Sequence, residues 1–280
     1  MRVALIANPS SGSGSSPREL ARELEALGAE VSLFSLDQRE QALAGQPQRI
    51  VGAGGDGSLG CCAELAARAG VPLAVVATGT ANDFARAFDL PDDPRAACRL
   101  AVTGTRTWPL ELGRMADRPF VNVASAGPAA LAARRAAPLK ARLGALSYAV
   151  GALRAGATGS PLRCRVRVDG EQCFQGGAWQ LIVACTGVFG AGSSLEQAEP
   201  DDGRLDVAVV PAGARARLVQ RAWGLRSGRV TAQAGVVHAR GRVVEVDVAP
   251  GTGWNVDGEL VVAGATRFEV SPAAFTLVVA

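Results

Sequence analysis

Residues 50–60 read IVGAGGDGSLG, an apolar run that ends in glycines around the single carboxylate of Asp56. The run Arg49–Ala53 predicts a strand, and the spacing of apolar residues from about Leu59 to Ala69 predicts a helix. Glycines between a strand and a helix let backbone N–H groups approach a phosphate, and the helix N-terminus adds a positive dipole. The stretch therefore predicts a polyphosphate-binding turn in an α/β fold.

The same alternation extends on both sides of this turn. Strands are predicted at Val3–Ala7, Ala29–Leu36 and Val71–Ala77, and helices at Pro17–Leu27, Gln38–Ala44 and from Ala81 onward. Alternating strands and helices favour a parallel sheet with helices on both faces. The loops Asn8–Gly14 and Thr78–Asp83 would then join the glycine turn at the carboxyl ends of the strands, where such sheets bind ligands.

The pattern changes after about residue 107. Paired strands are predicted at Pro109–Met115 and Pro119–Ser125, helices at Leu139–Leu153 and Ala214–Trp223, and further strands within 163–170, 179–187, 204–210, 242–249, 259–264 and 275–280. We therefore expect the α/β class, with an N-terminal doubly wound α/β domain over 1–107. A C-terminal, mostly-β sandwich domain would cover 108–280, and its last strand can return to the first domain.

Composition bounds the function. The chain has 280 residues, 48% of them hydrophobic and 20% charged, with a net charge of +3 and no basic block typical of nucleic-acid binding. Six cysteines without a C-x-x-C pair argue against zinc and favour buried, reduced thiols. No apolar stretch reaches the length of a transmembrane helix, and the N-terminus lacks a signal peptide. We expect a cytoplasmic protein that can lie peripherally at the inner membrane face.

Asp56 needs an explanation beside a phosphate site, because two anions repel each other. Mg²⁺ would bridge them, since it takes carboxylate, water and phosphate oxygens together. The alternative is that Asp56 only caps the helix that follows it. Ser58 and Thr80 can donate hydroxyl hydrogen bonds to phosphate oxygens. The chain lacks a P-loop and a clean G-x-G-x-x-G fingerprint.

These segments resemble motifs of the diacylglycerol kinase catalytic-domain family, which includes bacterial lipid kinases and sphingosine kinases. Asn8-Pro9-Ser10-Ser11-Gly12 resembles N-P-x-S-G, Gly54–Ser58 resembles G-G-D-G-T, and Thr78–Ala85 resembles P-x-G-T-x-N-D-F-A. The likeness continues at Asn122–Gly127, Leu143–Tyr148, Asp202–Asp206 and Asp257–Glu259. G-G-D-G alone is shared with phosphofructokinases and NAD kinases, but the combination with N-D-F-A and the late D-G-E is more specific.

The resemblance implies an NAD kinase/phosphofructokinase-like first domain and ATP-dependent, Mg²⁺-dependent phosphorylation of a lipid hydroxyl. The implied nucleotide-binding residues are Asn8, Pro9, Ser10, Ser11, Gly12, Ser35, Gly54, Gly55, Asp56, Gly57, Ser58, Gly79, Thr80, Asn82 and Asp83. The implied catalytic residues are Glu259, Asp257 and Asp56, and either carboxylate of the D-G-E segment can accept the proton of the attacking alcohol. A carboxylate base also suits a chain whose one histidine, His238, is predicted to be a surface or satisfied side chain of the β-rich domain. By itself, Asp257-Gly258 reads as a hairpin turn.

The Asp202-Gly203 segment resembles a structural Mg²⁺ site of bacterial members. The resemblance implies a metal held by the carboxylate of Asp202 and the main-chain carbonyls of Glu199 and Arg204. The alternative interpretation is a plain turn.

The chain also departs from the family pattern. Leu59-Gly60-Cys61 stands where the family often has x-N-E, and Ala77 replaces a usual proline. Two alternatives therefore stay open: an NAD kinase, and a nucleotide-binding relative without turnover. The expected partner is a lipid alcohol at the membrane surface, with no nucleic acid and no transmembrane segment. A homodimer is compatible with the sequence, which does not identify the lipid.

Overall fold

The computed structural model describes residues 1–8, 15–128, 159–190, 193–195, 198–214, 221, 224 and 227–280. The predicted helix at Leu139–Leu153 lies outside them, as does most of the helix predicted at Ala214–Trp223. The described chain forms two compact units. The first unit comprises Met1–Leu112, Pro119–Val121 and Ser271–Ala280, and the second comprises Gly113–Arg118 and Asn122–Val270.

The first unit is a parallel sheet with helices on both faces. Its strands are β1 (Arg2–Ala7), β2 (Glu30–Ser35), β3 (Arg49–Gly54) and β4 (Leu73–Ala77); its helices are α1 (Pro17–Ala26), α2 (Asp56–Ala69), α3 (Asp83–Ala87), α4 (Pro94–Thr103) and a 3₁₀ helix over Leu36–Gly45. The sheet order is β2-β1-β3-β4, all parallel, and the end of β17 (Thr266–Val278) adds beside β4 through Leu277 and Leu73. The predicted doubly wound architecture is confirmed.

Alternation along the strands divides this unit into two apolar layers. In β1, Leu5 packs with Leu20 and Leu24 of α1, whereas Ile6 packs on the opposite layer with Leu59 of α2. Successive side chains of a strand point to opposite faces, so each buried strand supplies both layers. Both layers are closely buried, which fixes the positions of the loops at the carboxyl ends of β3 and β4.

The second unit is antiparallel. The remaining strands are β5 (Thr107–Met115), β6 (Arg118–Phe120), β7 (Val123–Ala126), β8 (Leu162–Val168), β9 (Glu171–Ala184), β10 (Val188–Phe189), β11 (Ser193–Ser194), β12 (Leu205–Pro211), β13 (Val237–Gly241), β14 (Val243–Val248), β15 (Thr252–Val256) and β16 (Glu259–Ala263). The order β16-β15-β7-β9-β8-β14 runs into the first part of β17, and β12 pairs with both β9 and β13. The expected β-rich second domain is confirmed, while β13 and β15 were not predicted.

The single strand predicted over Pro119–Ser125 is wrong. The chain forms β6, leaves the ladder, and resumes as β7, which pairs with β9 and β15. The break has a physical cause, because the N–H groups of Asn122 and Val123 both donate to the carboxylate of Asp257. These two donors are directed to a side chain instead of to a neighbouring strand.

Candidate active site

The loops after β3 and β4 meet at Asp56. The Asp56 carboxylate accepts the N–H of Asp83 at 3.1 Å through Oδ2 and the N–H of Phe84 at 2.9 Å through Oδ1. Asp56 itself lies in the first turn of α2, whose N-cap is Gly55. Its carboxylate therefore caps the start of a different helix, α3, and neither of the two sequence interpretations of this residue included that role.

Glycine is required where these two loops touch. A Cβ added to Gly79 would lie 2.5 Å from the Cα of Gly55 and 2.8 Å from Oδ1 of Asn82. The contact with Gly55 cannot be relieved by moving a flexible side chain, because the Gly55 atom is backbone. The absence of side chains in the glycine turn thus allows the two loops to pack closely. It would also allow a ligand to approach the backbone. The N–H of Thr78 donates to the carbonyl of Gly54 at 3.0 Å and joins the same two loops.

The start of α2 has the features of an anion site. Gly55 is extended, α2 begins directly after it, and the Ser58 hydroxyl donates to the carbonyl of Gly55 at 2.7 Å. A helix of this length directs a positive dipole and its first N–H groups toward the turn. Ser58 is buried, and its hydroxyl hydrogen is donated to the Gly55 carbonyl. Its contact with a phosphate stays a prediction.

The other nucleotide-binding predictions fall around this edge of the sheet. Asn8 follows β1 and its N–H donates to the carbonyl of Ala53 at 3.0 Å, whereas residues 9–12 lie outside the described part of the chain. Thr80 is exposed. Ser35 ends β2, and its hydroxyl contacts Oε1 of Gln38 at 3.3 Å. None of these contacts tests ligand binding.

Asn82 and Asp83 form the entry to α3. Asn82 has a left-handed backbone with φ of 51°, and for this reason the helix begins at Asp83 rather than at the predicted Ala81. Oδ1 of Asn82 is buried and accepts no hydrogen bond within the described residues. Asp83 is buried, and its carboxylate lies 4.0 Å from the guanidinium of Arg86. The segment is thus an ordered polar loop, as a binding site at this edge requires.

Gly60 explains one departure from the family motif. A Cβ at Gly60 would lie 2.6 Å from the carbonyl oxygen of Pro119, so α2 packs against that backbone too closely for a larger residue. The asparagine that the family often has at this position would not fit here. The missing amide is therefore a consequence of how this chain packs α2.

The D-G-E segment lies in the second unit. Asp257 is 8% exposed, and its Oδ1 accepts the N–H of Asn122 at 3.0 Å and that of Val123 at 2.9 Å. Glu259 begins β16 with a side chain that is 48% exposed, and it forms an ion pair with Arg118. The two predicted catalytic carboxylates thus differ in kind: Asp257 is a buried acceptor of backbone donors, and Glu259 is accessible. No sequence motif indicated Arg118.

The prediction of a satisfied His238 is confirmed, and burial is confirmed for four cysteines, whereas Cys61 and Cys173 are partly exposed. Nε2 of His238 lies 2.7 Å from Oδ1 of the buried Asp206, so the histidine is satisfied by the fold. All six cysteines are free. Burial raises the pKa of the Cys62 thiol to about 12 and that of Cys98 to about 11, so both are neutral thiols at physiological pH.

The predicted metal residues lie on the turn before β12. Glu199 and Arg204 are exposed, and the side chain of Asp202 is 21% exposed. Oδ1 of Asp202 accepts the N–H of Arg204 at 2.9 Å, and its Oδ2 forms an ion pair with Arg240. Within the described residues, no three His, Cys, Asp or Glu side chains cluster as metal ligands do.

None of the helices among the described residues has the length and hydropathy that a membrane crossing requires.

Comparison with known proteins assigns the family. A diacylglycerol kinase catalytic domain matches residues 2–115, and a YegS C-terminal NAD kinase beta sandwich-like domain matches residues 122–279. The chain belongs to the diacylglycerol kinase catalytic-domain family. The predicted resemblance is confirmed across both units, and the protein is a member of a kinase family.

Named relatives of this family cover most of the chain. A probable lipid kinase YegS-like of Pseudomonas aeruginosa is 34% identical, over 92% of this chain and 85% of the relative. A diacylglycerol kinase of Staphylococcus epidermidis is 27% identical over the same shares. Among solved structures, a diacylglycerol kinase of Bacillus anthracis aligns with a TM-score of 0.79 at 20% identity, covering 100% of this chain and 97% of that one. An NAD kinase of Archaeoglobus fulgidus in complex with ATP aligns with a TM-score of 0.53 at 15% identity, covering 99% and 93%.

Proposed function

We propose that this protein is an ATP-dependent lipid kinase that transfers the γ-phosphate to the hydroxyl of a diacylglycerol-like lipid at a membrane surface. The observation that carries the proposal is that relatives with lipid kinase and diacylglycerol kinase names span both units, over 92% of the chain. The ordered glycine turn at the start of α2 supports it, because that arrangement suits a polyphosphate.

The transfer needs a base and charge stabilisation. The lipid oxygen attacks the γ-phosphorus, the bond to the bridging oxygen of ADP breaks, and the hydroxyl proton must pass to an acceptor. Glu259 is the better acceptor of the D-G-E pair, because its carboxylate is accessible and Arg118 fixes its position. Asp257 is buried and accepts two backbone hydrogen bonds, so we assign it to holding residues 122–123 in place.

Mg²⁺ would enter with the nucleotide. It binds mainly through phosphate oxygens and water, so it needs few protein ligands, and it would neutralise phosphate charge. The Asp56 carboxylate lies beside the glycine turn at the start of α2 and is the one acidic group of the G-G-D-G segment. Asp56 is therefore the protein group that would face such an ion.

The test is transfer of labelled γ-phosphate from ATP and Mg²⁺ to a panel of lipid alcohols in mixed micelles, with NAD as a control acceptor. We expect label in a lipid for the wild type. Glu259→Gln should lower kcat by about 10²–10⁴-fold, the usual contribution of a general base, without a change in Tm. Glu269→Gln is the matched control, because Glu269 is likewise an exposed carboxylate paired with an arginine, Arg267.

Each alternative outcome has a distinct meaning. Label in NAD alone would replace the proposal with the NAD kinase alternative. ATP binding without transfer to any acceptor in the panel would favour a nucleotide-binding protein. Full activity of Glu259→Gln with lipid as acceptor would retain the lipid kinase but exclude Glu259 as the base.

A further inference from the structure

The segment Asp202–Asp206 carries the carboxylates of Asp202 and Asp206, and Arg240 of β13 lies beside both of them. Oδ1 of Asp202 accepts the N–H of Arg204, and its Oδ2 contacts the guanidinium of Arg240. Nε of Arg240 also lies 3.4 Å from Oδ1 of Asp206, an ion-pair contact without hydrogen-bond alignment. The guanidinium of Arg240 thus lies between the carboxylates of Asp202 and Asp206.

The register of strands β12 and β13 places Arg240 beside Asp206. Strands β12 and β13 are antiparallel, and Asp206 lies directly opposite Arg240. Opposite residues of an antiparallel pair are close neighbours on one face of the sheet, so the contact follows from the pairing. His238 lies two residues earlier on β13 and approaches the same Oδ1 of Asp206 at 2.7 Å.

The burial of Asp206 makes a positive partner necessary. Asp206 is 0% exposed, and its Oδ2 accepts no hydrogen bond within the described residues. A buried carboxylate without a nearby positive charge is strongly unfavourable. The side chains of Arg240 and Asp202 are 29% and 21% exposed, so solvent screens their ion pair only in part.

We propose that the guanidinium of Arg240 takes the place of a divalent cation at this turn, so that the chain holds Asp202–Asp206 without metal. The segment resembles a family Mg²⁺ site built from one aspartate and two main-chain carbonyls. Here that aspartate already has a donor on each oxygen, and one donor is a full positive charge that would repel a dication beside it. The inference concerns the turn alone and does not depend on the proposed lipid kinase activity.

The test is thermal unfolding of metal-free protein without nucleotide, in EDTA and then in excess Mg²⁺ or Mn²⁺. We expect the wild-type Tm to be the same in all three conditions. Arg240→Met should lower Tm by about 5–10 °C, because it removes the guanidinium from both carboxylates and leaves the buried Asp206 with His238 alone. Added Mn²⁺ should restore part of that loss in Arg240→Met. The matched control is Arg267→Met, since Arg267 is an exposed arginine of the same unit and pairs with Glu245 and Glu269.

Direct ion counting keeps the proposal falsifiable if Arg240→Met does not fold. Electron paramagnetic resonance of Mn²⁺ added to the nucleotide-free wild type should detect no bound ion that is lost in Asp202→Asn. A bound ion in the wild type that disappears in Asp202→Asn would overturn the proposal. A metal-dependent rise of the wild-type Tm that Asp202→Asn abolishes would overturn it as well.

Discussion

Removing the Asp56 carboxylate should destabilise the start of α3. This helix follows β4, whereas Asp56 itself follows β3. Two backbone N–H groups, those of Asp83 and Phe84, donate to it at 3.1 and 2.9 Å. A hydrogen bond to a charged group contributes about 1.5–3 kcal/mol, and the partly exposed position of Asp56 favours the lower value. Asp56→Ala should therefore cost about 3 kcal/mol locally, from two bonds of about 1.5 kcal/mol each.

Hydrogen exchange measures this loss where it occurs. Since about 1.4 kcal/mol corresponds to a factor of ten, the amides of Asp83 and Phe84 should exchange about 100-fold faster in Asp56→Ala. Asp56→Asn keeps one acceptor oxygen and should show about a tenfold increase. Amides in the core of α2 should be unchanged, because they donate to carbonyls of their own helix.

Asp92→Asn is the matched control. Asp92 is exposed and makes no hydrogen bond or ion pair within the described residues, so the exchange pattern of Asp92→Asn should equal that of the wild type. The reasoning is refuted if Asp56→Ala exchanges at residues 83 and 84 no faster than Asp92→Asn. A uniform acceleration over the whole first unit would also refute it, since that would indicate global rather than local destabilisation.

Three further predictions follow from single contacts. Gly79→Ala should destabilise the first unit by about 1–3 kcal/mol in thermal unfolding, because its Cβ would overlap the backbone of the neighbouring loop, whereas Gly45→Ala, with open space around it, should not. Gly60→Ala should cost a similar amount through its contact with Pro119, and an unchanged Tm would show that α2 can shift. Cys62, with a pKa of about 12, should resist iodoacetamide at pH 8 in the folded protein, react faster as the pH rises toward that value, and react at the normal rate once unfolded; equal rates in both states would contradict its burial.

The sequence predicted the first unit well because its signals are local. β3 and β4 end in glycine or a polar loop, and α2 and α3 follow them within a few residues, so this order of elements could be inferred without long-range contacts. The start of α2 was predicted at Leu59, whereas the helix begins at Asp56. Asp56 and Gly57 have low propensity for a helix interior, but they lie in the first turn, where an acidic side chain is favourable.

Strands β13 and β15 escaped prediction for the opposite reason. Their sequences, VHARG and TGWNV, mix glycine and polar residues and lack an alternating apolar pattern. They exist because distant partners pair with them, β12 with β13 and β7 with β15. The ion pair between Arg240 and Asp202 depends on that register, so it could not be inferred from the D-G-x-L-D segment alone.

The two carboxylates of the D-G motifs show where sequence reasoning about a site reaches its limit. Asp56 and Asp257 were both predicted to be catalytic, and each accepts two backbone N–H groups from a segment far along the chain. A variant of either residue will lose activity if the segment it holds moves, whether or not the carboxylate touches substrate. Activity loss therefore identifies a catalytic role only when Tm and hydrogen exchange stay unchanged, a condition that the exposed Glu259 can meet and the buried Asp257 cannot.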